Sequence, residues 1–279
     1  METVNLLNFL NKAKELHALD YATCDRELIN FLNLVVDNEQ FVQKIDLGVV
    51  YIYSTTYEHF VVVDGLARLL SLSLLLHAIC ECYKKTTQRN EIAINTIRKK
   101  YLLEGSKTKL RLSAIDQDVY NKIIFGERLS SKEKETPMFQ LLHKFWTQIK
   151  SEKLQAANII KMLDKIFVML VNSDNVSKRD LYYSLNKDKR CINQLLLIED
   201  YLKNIGILKD WEKIKKIYHS KHSDFNLFFR DYFITKFNIK KYDEKMLYEI
   251  FVNYFETMLQ YMPEDILINK IKRSAVLYN

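Results

Sequence analysis

At 279 residues, 48% of them hydrophobic, the chain can enclose a substantial core as one large domain or two ordinary ones. Its 5 glycines and 2 prolines are too few turn formers for an all-β sandwich and favour long helices joined by short loops. The balance of 42 basic against 35 acidic residues gives a formal charge of +7, which permits contact with phosphates without the concentrated basic face of a dedicated nucleic-acid binder.

Met1 to Leu10 lacks the basic start and small-residue cleavage site of a secretory leader, so Cys24, Cys80, Cys82 and Cys191 are expected as reduced thiols of a soluble cytoplasmic protein. Cys80 and Cys82 flank Glu81 on a predicted helix, where each residue turns about 100° around the axis, so the two thiols point apart and suggest no metal pair. His219 and His222 share a helical face if their stretch is helical. No carboxylate or cysteine completes a ligand set there, which reads them as surface histidines. The longest apolar run, Leu69 to Cys80, is about twelve residues, too short to span a bilayer, so it reads as a buried helix and no membrane partner is expected.

In chain order, Leu6, Phe9 and Leu10, then Leu28, Phe31, Leu32 and Val35, recur at helical spacing and predict two helices before Asn38. Lys44 to Tyr53 and Phe60 to Val63 are rich in β-branched and aromatic residues and predict adjacent strands. The second strand ends at Asp64-Gly65, and Leu66 to Tyr83 has the length and composition of a buried helix. Strand, tight turn and helix in that order put the polar turn residues and the free N–H groups of the helix start at one sheet edge, where anions bind. That edge carries Asp64, Gly65 and Arg68.

Lys107 to Leu112 alternates basic and apolar residues, the pattern of an edge strand. Such a strand would project Lys107, Lys109 and Arg111 from one face, either as a weak, sequence-independent DNA contact or as charges guarding the sheet edge from pairing. Gly105-Ser106-Lys107-Thr108 is a turn into this strand, since Lys100 stands where a phosphate-binding loop would need its first glycine. Ala114 to Phe125 returns to helical spacing, and the polar stretch Gly126 to Pro137 predicts a mobile loop or domain boundary. The organisation expected is an α/β core with N-terminal helices over 1–126 and a mostly helical region over 138–279. Within the latter, Ile166 to Val171 is apolar enough for a strand that completes the core sheet.

Val61-Val62-Val63-Asp64-Gly65-Leu66-Ala67-Arg68, running on into the leucines from Leu69 to Leu76, resembles the signature of the GmrS-type N-terminal domain of GmrSD modification-dependent restriction endonucleases. There an apolar strand enters D-G-Q-Q-R-L-T-T-L and a leucine-rich helix. Upstream, Leu47-Gly48-Val49-Val50 is similar to that family's F-L-G-S-I-V. Downstream, Lys109-Leu110-Arg111-Leu112-Ser113 with Asp116 and Gly126 is similar to its K-L-R-L-x-x-x-D run and glycine. A second block, Ser184-Leu185-Asn186 with Ile192 and Leu197-Ile198, resembles the family's F-x-x-L-N-x-x-G-x-x-L-x-x-x-D-L-I element. Phe228 to Phe233 and Leu247 to Phe251 look like its closing helices, so the resemblance covers roughly residues 20 to 255.

The resemblance implies an α+β, predominantly helical fold, with a small α/β core like that of ParB and sulfiredoxin followed by a helical region. It implies a nucleoside triphosphate with Mg as cofactor, a nuclease supplied by another chain as partner, and a place in a restriction-type or phage-defence system. Carried over by position, Asp64 is the metal or water partner and Arg68 the phosphate clamp of the catalytic pair. Gly65 lets the backbone turn sharply against the ligand, and Asn186 is a further cofactor-binding position.

The sequence also departs from the pattern. Leu66 and Ala67 replace both glutamines, Lys189 and Leu196 replace the glycine and aspartate of the second block, and only Tyr21 and Arg26 match the early P-x-Y-Q-R-x-Y-x-W segment. Neither Leu nor Ala can orient a water or hold a phosphate, so hydrolysis is expected to be weak or lost. The alternative is a module that keeps the fold alone, for binding or assembly. Asp64-Gly65 is equally what an ordinary strand-to-helix turn uses, and Asn186 what a turn or cap uses. The last third carries no His/Asn nuclease cluster, so no HNH domain is expected in cis.

Overall fold

The computed structural model describes residues 2–19, 28–33, 45–56, 58–83, 88–154, 156–172, 177–186, 194–207, 209–211, 213–214, 232 and 246–277. Tyr21, Arg26, Ile192, His219, His222 and, apart from Tyr232, the stretch from Phe228 to Phe233 lie outside the described residues. The fold is α+β and predominantly helical, built on a mixed six-stranded sheet. Two compact units follow one another, Met1–Tyr182 and Tyr183–Asn279.

The first unit opens with β1 (Glu2–Asn5), α1 (Leu6–Lys12) and β2 (Glu15–Ala18), where helical spacing alone predicts a single helix. Asn5 sets the start of α1: its Oδ1 accepts the Asn8 N–H at 2.9 Å, and its Nδ2 donates to the Asp164 carbonyl at 2.6 Å. The flanking strands are too short to show a two-residue period and exist through their partners, β1 antiparallel to β8 (Ile166–Asn172) and β2 parallel to β4 (His59–Asp64). Of the second predicted helix, Phe31–Asn33 is helical, Leu28–Asn30 is not, and Val35 lies outside the described residues.

The chain then runs through β3 (Ile45–Thr56), β4, α2 (Leu66–Tyr83), α3 (Gln88–Ile97), a π-helical turn over Arg98–Leu102, β5 (Leu103–Glu104), β6 (Lys107–Thr108), β7 (Leu110–Arg111) and α4 (Ala114–Phe125). After these come α5 (Pro137–Ser151), α6 (Ala156–Leu163) and β8. The sheet order is β1-β8-β3-β4-β2-β7. β3 and β4 form an antiparallel hairpin, while β8 lies parallel to β3 and β7 parallel to β2.

Two sequence expectations change here. The strand expected over Lys107 to Leu112 is split: β6 pairs with β5 in a separate two-stranded sheet, β7 pairs with β2 in the main sheet, and the chain changes sheets at Lys109. Gly126 to Pro137, expected as a mobile loop or domain boundary, lies within the first unit and is not a boundary between units, because α5 and α6 form the crossover that brings β8 between β1 and β3. The stretch itself holds a 3-10 turn at Glu133–Glu135, with Glu133 accepting from Lys122 Nζ and from the Ser130 N–H, each at 2.6 Å.

α2 is the core helix. Every residue from Leu69 to Cys80 is buried, as a helix apolar on all sides requires, so although α2 is long and apolar enough by length and composition to cross a membrane, its burial is that of a packed core helix. Three of its polar side chains bond inside. Ser71 Oγ accepts the Ile29 N–H at 2.8 Å, Ser73 Oγ lies 2.5 Å from the Tyr120 hydroxyl of α4, and the Tyr83 hydroxyl donates to the Leu154 carbonyl. Against α2 lies α5, started by Pro137 and burying Met138, Leu141, Leu142, Phe145 and Ile149 along one face.

In the second unit α8 (Gln194–Asn204) packs on α9 (Leu247–Leu259), which is followed by α10 (Glu264–Leu277). Tyr201, Trp211, Phe251 and Phe255 form an aromatic cluster with ring centroids 5.5–6.4 Å apart. Gln194 Oε1 caps α9 by accepting the Tyr248 N–H at 2.9 Å.

Candidate functional site

Asp64 ends β4, where it pairs with Tyr51 of β3, and α2 begins two residues later. Gly65 makes the turn with φ +99°, a conformation that L side chains rarely adopt, and a Cβ there would lie 2.8 Å from Val50 Cγ2. The other side of the corner is a distortion in β3. Asp46 Oδ1 accepts the Gly48 N–H at 2.8 Å, Gly48 has φ +80°, and the register against β8 shifts between Asp46 and Val49.

Arg68, in the first turn of α2, reaches across and donates from Nη1 to the Val49 carbonyl at 2.9 Å. Its Nη2 would lie 3.8 Å from a Cβ at Gly48. Both Asp64 and Arg68 are half-buried. Asp64, Gly65, Arg68 and Gly48 thus share one corner at the carboxyl end of β4. The guanidinium keeps N–H groups that make no bond among the described residues, and these can receive an anion.

The two positions where the resemblance has glutamines are turned to packing: Leu66 is 5% exposed and Ala67 half-buried. A nucleotide with Mg has a limited donor set here. Asp64 is the carboxylate at the turn, and among the described residues no three His, Cys, Asp or Glu side chains are grouped to hold a metal ion. Mg is commonly bound through one or two carboxylates with substrate phosphates supplying further oxygens. The corner therefore fits a Mg carried on nucleotide phosphates and does not fit a metal centre built from protein ligands.

The remaining sequence candidates lie elsewhere. Asn186 is buried, 1% exposed, at the end of α7 (Lys178–Asn186) and belongs to the second unit. Lys107, Lys109 and Arg111 do not project from one face. Lys107 is exposed on β6. Lys109 is 4% exposed, and its Nζ donates to the carbonyls of Leu10, Asn11 and Lys100 at 3.2, 3.3 and 2.8 Å. Burial pushes its ammonium below the usual lysine value, against the pull of the Glu104 and Glu58 carboxylates.

Arg111 belongs to a cluster that sequence reading missed. Glu15 Oε1 accepts from Arg111 Nε at 3.0 Å, while Glu15 Oε2 lies 3.2 Å from His17 Nε2 and 3.3 Å from His59 Nδ1. The register assembles it: Glu15 lies opposite His59, His17 lies opposite Arg111, and Glu15 and His17, two residues apart, share a face. Burial alone would push the Glu15 carboxyl up, but hydrogen bonds from His17 and Arg111 and their charges outweigh it and bring the value from 4.5 to about 2. Glu15-Leu16-His17, polar around a buried leucine, is a local hint of this face, but its partners are distant in sequence.

No family model matches the sequence, and no curated protein matches it. The residues of the corner themselves therefore carry the functional reading.

Proposed function

We propose that the chain is a GmrS-like module of a restriction-type or phage-defence system. In this reading its first unit is a ParB/sulfiredoxin-like core that senses nucleotide or DNA through the Asp64–Gly65–Arg68 corner. It hydrolyses nucleoside triphosphate weakly or not at all and regulates a nuclease supplied by another chain. The observation that carries the reading is the convergence of Arg68 with Gly48 and Gly65 at the carboxyl end of β4. Ligands of open α/β sheets bind outside strand carboxyl ends, and a guanidinium there supplies the charge that phosphate recognition needs. Gly65 holds the turn against Val50, and Arg68 would bind and orient the phosphates. Mg carried with the nucleotide would supply charge neutralisation beside Asp64. Leu66 and Ala67 offer nothing to position a water, which accounts for the weak hydrolysis.

The test is titration of ATP, GTP and CTP with Mg into wild type and Arg68→Ala, with phosphate release measured alongside and a nuclease encoded beside this chain added in a second arm. Expected are binding that Arg68→Ala weakens at least fivefold, release close to the buffer blank, and a change in nuclease activity on mixing. Vigorous turnover abolished by Asp64→Ala would overturn the weak-hydrolysis part, and absence of nucleotide binding would overturn the sensing part.

A second reading, a non-catalytic assembly module, is favoured by one observation: Arg68 already ties α2 to the β3 backbone through Val49. On that reading Arg68→Ala lowers stability and leaves nucleotide binding undetectable in both proteins.

A further inference from the structure

At the opposite end of β4 from the Asp64 corner, a cleft of about 500 Å³ opens between α1 and the sheet. Phe60, which lines it, stands four residue steps along the strand from Asp64, roughly 13 Å at the usual rise. The floor is apolar and partly aromatic: Ile52 is 5% exposed, and Phe9 and the half-buried Phe60 meet with ring centroids 5.5 Å apart, tilted by 48°. The rim is polar. Glu2, Asn8 and Lys12 are exposed around it, and none of their side chains makes a hydrogen bond or ion pair among the described residues.

This contrasts with Asn5 beside them, whose amide is spent on capping α1 and on the Asp164 carbonyl. The cleft is thus framed by a fixed helix start and a sheet; Asn172, also exposed in its lining, accepts the Ser54 N–H at 3.3 Å, while Glu2, Asn8 and Lys12 make no side-chain bond among the described residues. A volume of this size with an apolar floor and a few polar groups is the usual form of a small-molecule site.

We infer that the α1–β4 cleft binds a nucleobase. A flat heterocycle stacks on the Phe60 ring, and its edge carries donors and acceptors that a free amide such as Asn8 pairs with two at a time. Lys12, in the last turn of α1, is placed for a negative group attached to the base through its sugar. The base is supplied either by a free nucleoside or nucleotide, or by a base turned out of a DNA strand, and the recognition chemistry is the same. The inference does not rest on the Asp64 corner, which is at the other end of the strand.

The experiment uses the full chain. The four deoxynucleosides, with deoxyribose as the sugar-only control, are titrated by ligand-observed saturation transfer. The same is done for Asn8→Ala, Phe60→Leu and Arg68→Ala. Expected is binding of at least one nucleoside but not of deoxyribose, with Kd on the order of 0.1–1 mM. Asn8→Ala and Phe60→Leu should weaken it at least fivefold and Arg68→Ala leave it unchanged. Asn8 is exposed, so its variant carries the test even if Phe60→Leu folds poorly. A single-stranded oligonucleotide that displaces the nucleoside at lower concentration assigns the base to a strand, and failure to displace assigns it to the free ligand. No nucleoside binding, or binding indifferent to Asn8→Ala, or binding lost in Arg68→Ala alone, overturns the inference.

Discussion

The ammonium of Lys109 donates to the carbonyl of Leu10 at 3.2 Å, across 99 residues of chain. It also serves the carbonyls of Asn11 and Lys100, so one buried cation closes the last turn of α1 and the π-helical turn together. Those are the orphan carbonyls at which helices collect negative partial charge. Lys107, two residues earlier, is exposed. Lys109→Met should therefore lower stability by about 2–4 kcal/mol, since it removes charge-assisted bonds and strands buried acceptors. Lys107→Ala should change it by less than about 0.5 kcal/mol. Thermal unfolding of both variants checks this. Equal midpoints for the two would show that the Lys109 bonds carry no weight.

That lysine marks the limit of what the sequence reveals. Residues 107–112 alternate basic and apolar, and a two-residue period in an isolated strand puts the basic set on one face. The chain instead changes sheets at Lys109, whose N–H goes to the Leu102 carbonyl while its own carbonyl receives the Leu16 N–H. The local pairing of β6 with β5 and the distant pairing of β7 with β2 together decide that. The β3–β4 pair and α2 are legible for the opposite reason, since β-branched runs and a helix apolar on every side state their burial locally. Asp64, Gly65 and Arg68 come from that legible stretch, which is why reading the sequence brings them to one corner. Gly48's place beside Arg68 follows from a register shift, and the Glu15 cluster from pairing among β2, β4 and β7. Neither has a local periodic signature.

Gly65 is held from two directions. Its φ of +99° strains any L side chain, and the Cβ of an alanine would sit 2.8 Å from Val50 Cγ2 and 3.1 Å from Cγ1, branches of a fully buried side chain that cannot both swing away. Gly65→Ala should cost about 2–4 kcal/mol, combining backbone strain with overpacking. Adding Val50→Ala removes the two nearest atoms but leaves the residue-50 Cβ at 3.2 Å and the backbone strain, so the double variant should regain part of the loss but not wild-type stability. Unfolding midpoints for the single and double variants measure the split. A Gly65→Ala protein as stable as wild type would mean that the corner relaxes freely and needs no glycine.

The Glu15 cluster predicts a pH window with a definite sign. The carboxyl sits at about 2 in the folded protein against an ordinary 4.5, so unfolded chains bind a proton that folded ones refuse between those values. Stability contributed by Glu15 is therefore complete above about pH 5 and is lost progressively as pH falls through 4.5 toward 2. Its side chain is 29% exposed, and screening by solvent keeps the contribution near about 1 kcal/mol. Glu15→Gln retains the shape and removes the charge, so it should be less stable than wild type by that amount at pH 7. The gap should narrow on acidification and close by about pH 2, and raised salt should shrink it at neutral pH. Chemical denaturation of both proteins at several pH values reads the difference directly. A gap that stays constant down to pH 3, or no gap at pH 7, would mean that His17, His59 and Arg111 surround Glu15 without stabilising its charge.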